Sequence, residues 1–68
     1  MTYDNKDIER VIDSYIHKKT IRDMLKDRLI DGLTYAEIAE RHGYTLRHTQ
    51  RLIYRYKEIV FKYYKSSK

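Results

Sequence analysis

The chain has 68 residues, with 15 Lys and Arg against 10 Asp and Glu, a formal net charge of +5 and no cysteine. A chain this short makes one small domain that buries only about 60% of the surface its unfolded form exposes, and it has no disulfide to staple it. Its apolar runs are far too short for a membrane span of about 20 residues, and no charged start leads into an apolar leader core. The expectation is a soluble, cytoplasmic protein without a membrane partner, and the lack of cysteine suits a reducing compartment.

With no proline and two glycines, the chain reads as all-α, a compact bundle of about four helices over residues 5–17, 20–31, 34–42 and 45–64. The first helix starts near Asp4 or Asn5. It places Ile8, Val11, Ile12, Tyr15 and Ile16 at the spacing of one buried face. Thr20 with Asp23 has the spacing of a capping box that restarts the chain. The second helix turns Ile21, Met24, Leu25 and Leu29 inward and ends at Gly32. Thr34 with Glu37 makes a second capping box, opening a short third helix. Gly43 then supplies a left-handed stop, and Thr45 caps the next start within about three residues. Fraying is expected from Lys65 onward.

The fourth helix separates its residues sharply by face. At about 100° per residue, Thr49, Leu52, Ile53, Tyr56, Ile59, Val60 and Tyr63 share an arc of about 120°, the width of a core stripe. Arg47, Arg51, Arg55, Lys62 and Lys65 lie opposite, with Glu58 the one acid among them. Arg47, Arg51 and Arg55 are spaced by four and form one ridge. Charge along the chain follows suit. Residues 1–33 hold seven basic and seven acidic side chains, whereas residues 34–68 hold eight and three, so the whole excess lies in the second half. Three arginines repel one another on a ridge, and a line of phosphates would turn that cost into attraction.

The stretch LIDGLTYAEIAERHGYTLRHTQRLI resembles the helix-turn-helix of the fourth region of bacterial sigma factors and of related small phage regulators. Leu29, Gly32, Leu33, Glu37, Ile38, Ala39, Gly43, Thr45 and Leu52 carry the likeness, which spans roughly residues 20–60. Ala39 is the small residue that lets the two motif helices approach. The pattern departs at His42, where an apolar residue is usual, and at Tyr44 and Thr49, where Ile or Val is common. Leu46 also departs: it packs either on a thymine methyl or, as the favoured reading, on the protein's own core. Sigma activity itself is not expected, because the regions that bind core polymerase and melt promoters do not fit in so short a chain.

The resemblance implies one DNA-binding domain over residues 1–68, with an extended recognition helix in the major groove of double-stranded DNA and a role in transcription regulation. Arg47, Gln50 and Arg51 are the expected base readers, since Arg pairs with guanine and Gln with adenine edges. Thr34, Tyr35, Thr45, His48, Tyr54 and Arg55 are the expected backbone contacts. A contact with RNA polymerase is a further implication.

Tyrosine is unusually frequent, at eight residues. Tyr15, Tyr44, Tyr56 and Tyr63 fit buried faces with their hydroxyls reaching water. Tyr54, Phe61 and Tyr64 fall beside the core stripe and form the expected dimer or partner interface, with Phe61 and Tyr64 at the centre of a homodimer. Nothing points to catalysis, a cofactor or a metal. His17, His42 and His48 have no cysteine or carboxylate cluster at ligand spacing, Glu37 and Glu40 share a short helix without a cleft, and no glycine-rich loop or nucleophile motif is present. Two rivals remain. One is a protein-binding inhibitor or adaptor, for example of a polymerase or nuclease, on the same scaffold. The other is the DNA-recognition domain of a phage packaging subunit.

Overall fold

Four stretches with apolar residues at helical spacing fold into four helices. The computed structural model describes residues 5–66 as α1 (Asn5–Tyr15), α2 (Lys19–Leu29), α3 (Tyr35–His42) and α4 (Leu46–Ser66), with no strand among them. This is the expected small all-α bundle. The cap expected at Asp4 lies outside the described residues. The last helix continues through Ser66, two residues past its expected end at Tyr64, and the rest of the expected frayed end lies outside the described residues.

Every other helix packs on α4. α1 also lies against α2, and α2 against α3, whereas α1 and α3 do not meet. The interior holds Ile8, Val11 and Ile12 from α1, Ile16 just beyond it, Ile21, Met24 and Leu25 from α2, Ile38 and Ala39 from α3, and Thr49, Ile53, Val60 and Tyr64 from α4. Burying a side chain of Leu or Ile size is worth about 1.5–3 kcal/mol. A domain this small therefore depends on every one of these positions.

The junction of α1 and α2 differs from its expected form. α1 ends at Tyr15 rather than His17, and no Thr20–Asp23 box forms. Instead Lys18 is the N-cap, extended at φ −78° and ψ 125°, without a side-chain hydrogen bond. Tertiary contacts set this start. Ile16 and Ile21 must both reach the core. The Arg22 guanidinium donates to the Ile16 carbonyl at 3.3 Å, and the Arg22 amide donates to Lys18 O at 3.0 Å. Thr20 is thereby drawn into the first turn of the helix.

Several aromatic side chains also sit elsewhere than their spacing suggests. Tyr64 is 5% exposed and belongs to the core, so it is not available as the centre of a homodimer. It lies only about 20° past Ile53 on the helix wheel, and the buried stripe of α4 widens to about 140° to include it. Phe61 is half-buried, which leaves Tyr54, 64% exposed, as the one open member of that group. Tyr15 and Tyr44 lie at the surface rather than on buried faces. Tyr15 is stacked on Tyr63 with centroids 3.9 Å apart and planes 5° from parallel, so the two rings shield each other. Leu46 is 47% exposed and stands apart from the core cluster, contrary to the favoured core contact. As the first residue of α4 it precedes the point at which the other helices cover that helix.

Among the described residues, two polar side chains are buried. The Asp27 carboxylate on α2 accepts from Arg41 Nη1 at 3.3 Å and lies 3.0 Å from His42 Nε2, joining α2 to the last turn of α3. Against an ionised carboxylate that contact requires the proton on Nε2. The basic Arg41 and His42 also suit the negative end of the α3 dipole. His42 thus departs from an apolar pattern because it has a buried acid to meet. The second group is Thr49 Oγ1, fully buried and without a hydrogen-bond partner.

No helix among the described residues is long and apolar enough to cross a membrane. Two stability measurements check the interior. Thr49→Val removes an unsatisfied hydroxyl at nearly constant shape and is expected to stabilise the fold by about 1 kcal/mol, raising Tm by about 4–8 °C. A drop in Tm would show that the hydroxyl is satisfied in solution. Asp27→Ala strands the half-buried His42 and is expected to cost about 2 kcal/mol in urea unfolding. An unchanged midpoint would mean that the α2–α3 tie carries no weight.

Candidate nucleic-acid interface

The segment that orients α4 is built by local chemistry. The Thr34 hydroxyl accepts from the Glu37 amide at 3.2 Å, and the Thr34 amide donates back to Glu37 Oε1 at 2.9 Å, a complete capping box at the start of α3. These bonds, the one from the Thr34 amide first, hold the Glu37 carboxyl below the usual glutamate range. At the other end Gly43 is left-handed at φ 74° and ψ 28°, with its amide on Ala39 O, and the Tyr44 amide returns to the same oxygen at 2.9 Å. A Cβ at Gly43 would meet nothing within 4 Å. Glycine is therefore needed there for its φ and not for space. Thr45 Oγ1 then accepts from the His48 amide at 3.1 Å and starts α4.

With its opposite face buried, α4 presents Arg47, Gln50, Arg51, Tyr54 and Arg55 to solvent, all exposed. Two of the three expected base readers, Gln50 and Arg51, line one concavity of about 320 Å³ with Tyr35 and Tyr54, both expected backbone contacts. Arg47, Thr45, His48, Thr34 and Arg55 do not line it. Tyr35 is held from behind: Arg28 of α2 stands 4.5 Å over its ring and donates to the Leu33 carbonyl at 3.0 Å. Lys57 lies 5.0 Å from the centroid of the Tyr54 ring.

The two threonines differ in what they can offer. Each hydroxyl oxygen accepts a cap bond, which leaves the hydroxyl proton free to donate outward. At Thr34, however, the backbone amide is also spent, and the Glu37 carboxylate beside it repels any anion. At Thr45 no acid is adjacent, and His48, packed edge-on against Tyr44 at 5.2 Å, stands on the same turn. The α3 start is thus a poorer seat for a phosphate than the α4 start, although their sequence signatures look alike.

Sequence reasoning missed Asp27, Arg28 and Arg41 as the frame of this surface. Asp27 meets partners 14 and 15 residues away, and no spacing rule connects them. A signal for Arg28 does exist, since a basic residue in the last turn of a helix can reach the carbonyls beyond it. Among the described residues, no three His, Asp or Glu side chains gather as metal ligands do. Comparison with protein-family models, curated proteins and solved structures gives no match to this chain.

The capping box has a pH signature. Because the folded-state pKa of Glu37 is lowered, its contribution to stability is complete above the unfolded-state value and is lost as pH falls through the folded-state value. Glu37→Gln is therefore expected to flatten the acid limb of a Tm-against-pH curve, while Thr34→Ala lowers stability by about 1 kcal/mol at neutral pH. Parallel acid limbs for Glu37→Gln and the parent chain would exclude the box as an acid-labile element.

Proposed function

We propose that this chain is a sequence-specific double-stranded DNA-binding transcriptional regulator, in which α3 and α4 act as a helix-turn-helix and α4 enters the major groove. The observation that carries the reading is the sorting of α4: one face packed on the other helices, with Thr49, Ile53 and Val60 closed to solvent, the other presenting Arg47, Arg51 and Arg55 in line with Gln50 beside them. The major groove admits one α-helix, and Arg and Gln are the side chains that pair in bidentate fashion with guanine and adenine there. Arg47, Gln50 and Arg51 occupy the first two turns, the part of such a helix that reaches base edges. Thr45, His48, Tyr35, Tyr54 and Arg55 flank them and take the sugar-phosphate strands. Thr34 takes a lesser part because of Glu37. Occupying promoter DNA would let such a protein block polymerase or recruit it by contact.

The reading is tested by fluorescence anisotropy with a random duplex and with a site selected from random sequence, each at two salt concentrations. A DNA binder loses affinity steeply as salt rises. Arg51→Ala is expected to cost about 1–3 kcal/mol on the selected site and to relax preference at one base pair. Equal losses on selected and random duplex would make Arg51 a phosphate contact. No binding at low salt would favour a helical adaptor that grips a protein through the same basic face.

A further inference from the structure

A second surface flanks the exposed face of α4, on the side away from Tyr35, and it is assembled only by tertiary packing. The start of α2 lies across the start of α4, and between them runs a groove of about 480 Å³. Lys18, Lys19, Tyr44 and His48 line it over a floor that includes Leu52, and no acidic side chain takes part. Lys18 and Lys19 are both exposed and, among the described residues, neither pairs with a carboxylate. α2 also begins here without a side-chain cap, so the positive end of its dipole adds to the lysines.

We infer that this groove seats the second sugar-phosphate strand of the duplex that α4 enters, with Lys18 and Lys19 as its phosphate ligands. The inference rests on the DNA-binding reading above and assigns the wall that reading leaves open. On the wheel, taking Leu46 as zero, Gln50 and Tyr54 lie at about 40–80°, Arg47 and Arg51 at about 100–140°, and His48 and Leu52 at about 200–240°. The concavity with Tyr35 thus borders one side of the arginine ridge, and the lysine groove borders the other. A major groove is about 12 Å wide and walled by a phosphate strand on each side. A helix seated in it needs partners at both walls, or its base-reading side chains are free to rock. On the Tyr35 side the Glu37 carboxylate weakens phosphate binding. The lysine side carries no such acid, is continuous with the arginine face through His48, and so holds the stronger strand contact. A protein ligand would have to match two unpaired ammonium groups with its own carboxylates; a phosphate strand presents its charges at regular spacing along the same line.

The test compares Lys18→Ala/Lys19→Ala with Lys6→Gln/Arg10→Gln, which removes two charges from the outer face of α1 beside a separate groove. Both are titrated against a random duplex over a salt series, with circular dichroism to show that each folds. Removing two phosphate contacts is expected to reduce the slope of log affinity against log salt by about 2 and to weaken binding roughly tenfold or more at moderate salt. The α1 pair is expected to change little, because it lines a groove that shares no residue with the α2–α4 surface. If the lysine variant keeps the parent slope while Arg51→Ala weakens binding, the groove is not the strand seat and the DNA-binding reading stands. If the two double variants lose affinity alike, general charge accounts for the effect and the groove assignment fails. If the parent chain binds no duplex, both the inference and the reading beneath it fall.

Discussion

Burial of one face of α4 is the constraint on which the rest of the molecule depends. α1, α2 and α3 all pack on it, and Thr49, Ile53 and Val60 are closed to solvent at 0–1% exposure. In a chain with no cysteine, that helix is the common wall of the core. Its rotation about its own axis is consequently fixed by packing: turning Ile53 out would cost about 1.5–3 kcal/mol for that side chain alone. Once the rotation is fixed, helical geometry dictates what faces outward, and Arg47, Arg51 and Arg55 have no other place to go. The core therefore determines the cationic face, and its precision is the precision of interior packing.

Where α4 begins is settled by α3, which is pinned at both ends by chemistry of different kinds. Its start is held by the reciprocal Thr34–Glu37 bonds, a purely local device. Its end is held by Asp27, a tertiary one, through Arg41 and His42. Between that end and α4 stand only Gly43 to Thr45, so any tilt of α3 passes directly into the direction of α4. A buried carboxylate is an expensive way to make such a tie, because its desolvation offsets much of the attraction. What it adds over an apolar contact is direction: two donors on one turn of α3 must point at one side chain of α2.

These two kinds of device explain what the sequence disclosed. The Thr34 box, the Gly43 stop and the Thr45 cap act within three or four residues, so residue type and spacing suffice to find them. The α4 stripe was legible for the same reason, since helical period is a local property. Tyr64 was misplaced because the stripe widens in its last turn, alongside which Tyr15 of α1 stacks on Tyr63, and no rule internal to α4 contains that helix. The Thr20–Asp23 spacing had the right form for a box but lost to the requirement that Ile16 and Ile21 both be buried. Asp27 and the Lys18–Lys19 groove are wholly tertiary. In sequence they are one acid and two bases among twenty-five charged residues.

The same contrast bears on how charge should be read in this chain. Residues 1–33 sum to neutral, and the whole positive excess lies in the second half with the arginines of α4. Yet a neutral sum conceals the way the first half is divided. Asp27 is turned inward to hold Arg41 and His42, and Asp13 is paired with Lys26 at 2.9 Å. Lys18 and Lys19 are left facing outward beside His48. Folding thus exports positive charge from a balanced segment by consuming acids internally, and it places that charge next to the arginine ridge. Within a Debye length of about 10 Å such groups act on one polyanion together. The effective cationic surface is therefore broader than the helix that carries the motif, and it is made by two helices that only packing brings side by side.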